Sequence, residues 1–227
     1  MDVALIYILE DEAGSNTLRI RGELYKYLIK VRRHKEGDEL SFRSRKDMKL
    51  LHTYKIDLVD SRDAELVLLT SKEEEIKSRR SLHIGWCIID PNSIEKVLPM
   101  LCEIGVFKIS FIFCQRSQKN FRLDFKRFQR VQEASMQQCG RSTYIEFDTC
   151  KSVKEFIDLY PDTMVFDFCE QTLDNYSDIE TILVGCEGGF TDKEREEFAS
   201  LKSFRLSSDM VLRSESAVVA IASKIVL

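Results

Sequence analysis

The chain has 227 residues, enough for one large domain or two small ones. Hydrophobic residues make up 44% and charged residues 32%, a globular balance that excludes long-range disorder. No apolar run approaches the roughly 18 residues that a membrane span needs, so we expect no membrane partner. Residues 1–4 lack the basic flank and cleavage site of a signal peptide, which predicts a cytoplasmic location.

Cysteine and histidine usage argues against disulfide and metal chemistry. The seven cysteines are an odd number, and no two have CxxC spacing, so we expect neither a disulfide framework nor a zinc ribbon. The three histidines, His34, His52 and His83, do not pair at metal-ligand spacing. The sequence therefore predicts no metal site.

Charge is distributed unevenly along the chain. The net charge is −4, yet residues 19–55 hold twelve Lys/Arg and five Asp/Glu, which leaves 22 basic against 33 acidic residues elsewhere. A second basic stretch, residues 115–141, holds seven Lys/Arg and two acids. Because a ligand feels the local field over roughly 10 Å, this asymmetry favours nucleic-acid binding. The alternative is a solvated surface whose charges are neutralised by neighbours in space.

Short alternating runs dominate the first seventy residues. They predict strands at residues 5–9, 38–43, 50–59 and 64–70, an arrangement typical of a small barrel. A helix is expected over residues 23–31. Its apolar side chains lie at offsets 0, 3, 4 and 7 and share one face: Leu24, Tyr27, Leu28 and Val31.

The pattern changes after the polar stretch at residues 71–75, so we expect a domain boundary near residue 72. Strands and helices then alternate, which predicts a mainly parallel sheet covered on both faces. The predicted strands are residues 82–89, 108–114, 144–147, 164–169, 181–184 and 203–206. The predicted helices are residues 91–103, 121–138, 152–160 and 213–226, with a further helix start at the capping box of residues 191–194.

Residues 185–190, Gly-Cys-Glu-Gly-Gly-Phe, follow the predicted strand 181–184. Parallel sheets bind ligands beyond the carboxyl ends of their strands, and three glycines leave the backbone open to a flat ligand. A plain tight turn explains the glycines equally well. The spacing matches neither a Walker loop nor the dinucleotide fingerprint.

Arg213 and Glu215 lie where a loop enters the last predicted helix. Glu215 is explained by the helix dipole alone, because an anion is favoured in the first turn. A cation is disfavoured there, so Arg213 points to a functional role.

These segments together resemble the bacterial ribosomal RNA small-subunit methyltransferase E family of the SPOUT superfamily. Residues 183–191 (LVGCEGGFT) are similar to its IGPEGG motif, and residues 210–217 (MVLRSESA) to its ILRTETA motif. Residues 27–33, 103–106, 116–117 and 133–141 are similar to four further family segments in the same order. The chain departs from the pattern at Tyr27 (histidine), Cys186 (proline) and Ser207 (glycine).

The resemblance implies an α/β protein with an N-terminal PUA-like β-barrel, residues 1–72, that binds RNA. A C-terminal SPOUT domain, residues 73–227, would carry a parallel sheet and a deep trefoil knot. It implies methylation of a uracil N3 in 16S ribosomal RNA of the small subunit, with S-adenosyl-L-methionine as methyl donor, and a homodimer. A non-catalytic RNA-binding factor in ribosome assembly, or a methyltransferase with another RNA target, are the alternatives.

The site residues that follow from the resemblance form three groups. Arg213 is expected to stabilise charge on the uracil, and Glu215 to orient Arg213 or accept a proton. The expected cofactor-binding residues lie in the two motif loops: Val184, Gly185, Glu187, Gly188, Gly189, Leu206, Met210, Val211 and Leu212. The expected RNA-binding residues are all cationic: Lys30, Arg32, Arg33, Arg116, Arg122, Arg127 and Arg130. Arg127 and Arg130 also fit a solvated helix stripe.

Overall fold

A computed structural model describes residues 5–117, 122–172, 176 and 178–227. The chain divides into two compact units. The first comprises residues up to Lys77 together with Met136–Thr143, and the second comprises Ser78–Ser135 and Tyr144–Leu227. Among the described residues, no helix is both long enough and apolar enough to cross a membrane.

The first unit contains a mixed five-stranded sheet in the order β1-β3-β4-β5-β2. Its strands are β1 (Ile8–Leu9), β2 (Thr17–Arg21), β3 (Glu39–Ser44), β4 (Asp47–Val59) and β5 (Asp63–Glu73). Only β1 and β3 pair in parallel; the other neighbours are antiparallel. Inward-facing side chains close one apolar core around Phe42, Tyr54 and Ile56. The strands predicted from the sequence are confirmed here in type, although the one predicted at residues 5–9 is reduced to Ile8–Leu9. The sheet forms a half-barrel where a small barrel was expected.

Two features of this sheet differ from the sequence prediction. Strand β2 was not predicted, although Thr-Leu-Arg-Ile-Arg alternates polar and apolar residues and buries Leu18 and Ile20. Strand β5 continues to Glu73, through part of the polar stretch expected to be a linker. Polar side chains are compatible with a strand whose outer face is solvated. The polar composition of residues 71–75 therefore led the sequence prediction to end this strand too early.

The helix expected over residues 23–31 is α-helical only at its start. Helix α1 (Gly22–Tyr25) continues as a π-helical segment, Lys26–Val31. An i→i+5 bond adds a residue to the turn and rotates the faces, so Tyr25 is buried while Val31 is 58% exposed. The 3.6-residue period therefore assigned Val31 to the wrong face.

The second unit contains a six-stranded, fully parallel sheet in the order β11-β9-β10-β6-β7-β8. Its strands are β6 (His83–Cys87), β7 (Lys108–Ile112), β8 (Glu146–Cys150), β9 (Met164–Phe166), β10 (Thr181–Val184) and β11 (Ser203–Phe204). Its helices are α2 (Pro91–Ile104), α3 (Phe125–Cys139, whose last four residues belong to the first unit), α4 (Val153–Leu159), α5 (Asp192–Glu197) and α6 (Ser214–Val226). The alternating α/β pattern is confirmed.

Local sequence signals explain the helix starts. Pro91 occupies the first turn of α2, Ser152 accepts a hydrogen bond from the amide of Glu155, and Thr191 with Glu194 forms a complete capping box on α5. Helix α3 begins at Phe125, later than predicted, and the predicted start at Phe121 lies outside the described residues.

The strand order determines where a ligand can bind. Strands β7 and β8 follow β6 in the chain and extend the sheet on one side of it. The chain then crosses to the other side of β6, where β10 pairs with β6 and β9 and β11 lie further out. The loops that leave the carboxyl ends on either side of this reversal diverge and open a crevice. The segments after β9, β10 and β11 emerge at this edge.

Candidate active site

A cavity of about 490 Å³ opens at the carboxyl ends of β9, β10 and β11. Eight of the nine predicted cofactor-binding residues line it: Val184, Gly185, Glu187, Gly189, Leu206, Met210, Val211 and Leu212. Gly188 is outside the lining. Two loops that are separate in the sequence thus form opposite parts of one cavity, as expected from the two motifs.

The glycine-rich loop after β10 is a tight turn and a cavity wall at the same time. The amide of Gly189 donates to the carbonyl of Cys186 over 2.9 Å, which closes the turn. Gly189 has φ +64°, a conformation that favours glycine. A Cβ on Gly185 would lie 3.3 Å from the Cα of Gly189, so a larger residue here would be tightly packed against the turn. The two interpretations of these glycines are therefore compatible.

A buried hydroxyl joins this loop to helix α6. Ser214 Oγ donates to the carbonyl of Gly185 over 2.6 Å and accepts from the indole Nε1 of Trp86 over 2.8 Å. Trp86 is on the central strand β6 and is fully buried, so the relay is anchored in the sheet. Ser214 is the residue that follows Arg213, and this bond therefore sets the start of α6 relative to the glycine loop.

Two further contacts connect the glycine loop to the segment after β7. The Arg116 Nη1 group donates to the carbonyl of Gly188 over 2.5 Å. The buried Glu194 carboxylate accepts from the amide of Gln115 over 2.8 Å and from the amide of Thr191 over 2.9 Å. Arg116, predicted to contact RNA, thus has a partner within the protein, and Gly188 acts through its carbonyl.

Arg213 and Glu215 have different positions. Arg213 is the N-cap residue of α6, is exposed and lines the cavity. No described residue forms a hydrogen bond or ion pair with its guanidinium, so the cation is available to a ligand. Glu215 is half-buried in the first turn of α6 and does not line the cavity. The structure therefore brings Arg213, but not Glu215, together with the two loops.

The sequence prediction missed a third wall, formed by the segment after β9. Asp167 lines the cavity and accepts two hydrogen bonds from Arg195, 2.7 Å from Nε and 3.1 Å from Nη2. This contact raises the pKa of the Arg195 guanidinium. Other lining residues were also not predicted: Phe166, Phe168, Cys186, Phe190, Arg205, Ser208, Asp209, Ser214 and Ala217. The position of Asp167 after a parallel strand was the available signal.

Cysteine thiols pack beneath the glycine loop. Cys186 lines the cavity, and its sulfur lies 3.6 Å from the Cys114 sulfur. Contact with Cys114 and burial raise the pKa of the Cys186 thiol, and burial raises that of the nearby Cys87. The Cys186 thiol that lines the cavity is therefore neutral at physiological pH. Within the described ranges, no three His, Cys, Asp or Glu residues are arranged to hold a metal ion.

Large apolar side chains surround the mouth of the cavity. Phe168, Met210 and Val211 are 70%, 77% and 75% exposed. Three large apolar side chains thus remain open to solvent where they line the cavity.

The remaining predicted RNA-binding cations are distributed over both units. In the first unit, Lys30 lies over the ring of Tyr25, Arg32 caps the π-helical segment, and Arg33 is exposed. In the second, Arg122 and Arg130 are exposed, whereas Arg127 Nε pairs with Glu95 over 2.6 Å. Arg127 is therefore partly neutralised by its neighbour.

Comparison with known proteins covers the whole chain. Residues 76–226 match a family model described as an RNA methyltransferase domain. The chain is 36% identical over 221 residues to the ribosomal RNA small subunit methyltransferase E of Helicobacter pylori strain J99, covering 96% of this chain and 97% of that protein. It is 24% identical to the ribosomal RNA small subunit methyltransferase E 2 of Borreliella burgdorferi, covering 91% and 89%.

The fold has close counterparts among solved structures. A ribosomal RNA small subunit methyltransferase E from Neisseria gonorrhoeae, bound to S-adenosyl methionine, superimposes with a TM-score of 0.74. The match covers 97% of this chain and 96% of that chain at 19% identity. Both units thus occur together in a known architecture.

Proposed function

The chain belongs to the ribosomal RNA small subunit methyltransferase E family, and from this premise we propose that it methylates N3 of a uracil in 16S ribosomal RNA, using S-adenosylmethionine. The observation that carries the proposal is the convergence of the two motif loops and Arg213 on one cavity.

The cavity suits S-adenosylmethionine in size and chemistry. Its volume of about 490 Å³ lies within the roughly 300–1,000 Å³ of small-molecule sites. Val184, Leu206 and Leu212 offer apolar packing, and the glycine loop offers backbone polar groups to a flat ring. When bound, the sulfonium supplies an already activated methyl group, so the proposal requires no metal.

Arg213 is the proposed catalytic residue. Uracil N3 lies on the Watson–Crick edge, so the base must be unpaired or flipped out to reach the cavity. Loss of the N3 proton leaves a negative charge spread over N3, O2 and O4. The unpaired guanidinium of Arg213 stabilises that charge as it develops. Glu215, in the first turn of α6, orients Arg213 or accepts the proton after RNA binds.

The proposal also covers the RNA, the domains and the assembly. Residues 1–72 act as a PUA-like RNA-binding barrel, and residues 73–227 as a SPOUT domain with a trefoil knot. The exposed cations Lys30, Arg33, Arg122 and Arg130 and the half-buried Arg32 bind phosphates, with smaller contributions from Arg116 and Arg127 because each has an internal partner. The exposed apolar residues at the cavity mouth support a homodimer.

Mass spectrometry of ribosomal RNA from a deletion strain tests the function. We expect one methyluridine to disappear, and to return with the wild-type gene but not with Arg213→Ala. In purified protein, Arg213→Ala should slow methylation by about 10²–10³-fold, as expected for loss of a group that stabilises developing charge. Lys202→Ala, an exposed cation of the same domain, is the matched control and should retain the rate.

Intact methylation in the deletion strain would refute the proposal. Calorimetric titration with S-adenosylmethionine distinguishes the proposed methyltransferase from the main alternative. A non-catalytic assembly factor with a degenerate pocket should give no saturable heat and should still bind RNA.

A further inference from the structure

A second, smaller cavity of about 230 Å³ lies entirely within the first unit. Its walls are the segment that leads into β1, the π-helical segment and the start of β3. The lining residues are Leu5, Ile6, Tyr7, Ile8, Tyr27, Leu28, Arg32, His34, Glu39, Leu40 and Ser41. We call this the barrel cleft. The cofactor proposed above does not occupy it, and of its lining residues the function proposed above uses only Arg32.

The barrel cleft presents charged groups that the protein does not use. Arg32 and Glu39 both line it, and neither side chain has a hydrogen-bond or ion-pair partner among the described residues. His34 also lines it, and its Nδ1 lies 3.2 Å from the carboxylate of Asp38. Backbone and imidazole hydrogen bonds lower the pKa of Asp38, which keeps that carboxylate ionised. The cleft therefore has a free cation, a free anion and an imidazole with a fixed orientation.

An aromatic ring forms part of the same wall. Tyr27 packs partly against the apolar core of the unit and lines the cleft with its remaining surface. A ring held by the core at one side and open at the other is suited to stacking on a flat ligand.

The backbone next to the cleft is strained. Arg33 has φ +62° and is the only described residue other than glycine with a positive φ. It follows the cap of the π-helical segment, a position where glycine avoids steric conflict with Cβ. An exposed arginine at such a position costs stability and places a cation beside Arg32.

We propose that the barrel cleft binds one unpaired nucleotide of the RNA substrate, with the base in the cleft and its phosphates on Arg32 and Arg33. This inference rests on the proposed RNA methyltransferase function and assigns a substrate contact to the first unit. The base stacks on Tyr27, while Arg32 and Glu39 meet acceptors and donors on its edge. The cleft is smaller than the roughly 300 Å³ of drug-sized sites, so it admits a single base.

Fluorescence anisotropy on the full-length protein tests the cleft, with a labelled single-stranded RNA of mixed sequence and the same strand in a duplex. Tyr27→Ala should weaken single-strand binding about fivefold to 100-fold, the effect of losing one stacked base. Duplex binding should not change, because a paired base cannot enter. Tyr27→Phe keeps the ring and should keep both affinities. Ile29→Ala removes comparable packing outside the cleft lining and should also leave both unchanged.

Two further variants keep the test decisive if Tyr27→Ala folds poorly. Arg32→Ala should also lower single-strand affinity. Arg33→Gly should leave thermal stability unchanged or higher, because glycine accepts φ +62°, and should still weaken RNA binding. Equal loss of single-strand and duplex binding, or no loss in folded variants, would overturn the cleft proposal. Calorimetric titration of the same variants with S-adenosylmethionine tests the proposed methyltransferase function separately. A variant that binds the cofactor normally and keeps the wild-type affinities for single-stranded and duplex RNA would refute the cleft proposal but not the methyltransferase proposal.

Discussion

At the scale of single residues, the hydroxyl of Ser214 has the largest structural consequence in the candidate active site. It is the only group on the described part of α6 that hydrogen-bonds to the glycine loop, and it also satisfies the buried indole of Trp86. Threonine stands here in the family motif, and the hydroxyl is what the two residues share. The position therefore shapes the glycine loop through the carbonyl of Gly185.

Ser214→Ala should weaken S-adenosylmethionine binding roughly tenfold, because the Gly185 carbonyl and the Trp86 N–H both lose a buried partner. Unfolding in urea should show a loss of about 1–3 kcal/mol. Ser214→Thr keeps the hydroxyl and should keep both the cofactor affinity and the free energy of unfolding. Ser216→Ala removes an exposed hydroxyl on the same helix and should change neither quantity. If calorimetry gave equal affinities for Ser214→Ala and the wild type, the relay would have no role in shaping the site.

At the scale of elements, the six-residue helix α5 depends on its capping box. A helix this short is not stable by propensity alone. Glu194 closes the box with Thr191 and, from its other oxygen, holds the amide of Gln115 after β7. One carboxylate thus connects α5, the glycine loop and the segment after β7.

Glu194→Gln should destabilise the chain by about 1–3 kcal/mol, because an amide has a single acceptor oxygen and leaves one of the two N–H groups facing its NH₂. The free energy of unfolding in urea measures the effect. Glu196→Gln neutralises an exposed carboxylate on the same helix and is the matched control. Equal unfolding curves for the two variants would mean that Glu194 is not needed to hold these segments together.

At the scale of the whole molecule, His83 makes stability depend on pH. The ring is buried in the central strand β6, its Nε2 lies 2.7 Å from Ser110 Oγ, and the rings of Phe156 and Tyr160 pack on it. Burial, assisted by the charge of Lys108 and opposed by that of Asp148, lowers its pKa to about 4. Folding therefore favours the neutral imidazole.

The folded chain should lose stability as the pH falls from about 6.5, where the unfolded histidine takes up a proton, to about 4, where the folded one does. Above pH 6.5 this contribution is complete. The loss amounts to roughly 1.4 kcal/mol per pH unit at most within that window. Urea unfolding across the window should show a shallower pH dependence for His83→Gln than for His34→Gln, whose imidazole is partly exposed. Parallel pH profiles for these two variants would contradict the assignment to His83.

Much of this molecule could be predicted from the sequence. The alternation of buried strands and capped helices indicated the parallel sheet, and the glycine loop and the residues around Arg213 indicated the cavity, because both signals are local. The π-helical turn after Tyr25 was not predictable, since its residues fit an α-helical period equally well. Strand β2 was missed although its five residues alternate polar and apolar side chains, the pattern expected of a half-buried strand.

What only the tertiary structure decided is which segments meet. Ser214 and Gly185 are 29 residues apart, and Trp86 is 128 residues from Ser214, yet one hydroxyl joins them. Asp167 became part of the cavity, and Glu215 did not, because strand order and helix phase determine which side chains face the crevice. Sequence periodicity indicates which residues of a single helix or strand share the face that packs against the core. The contacts across strands depend on the order in which the sheet is assembled, and that order is a property of the whole fold.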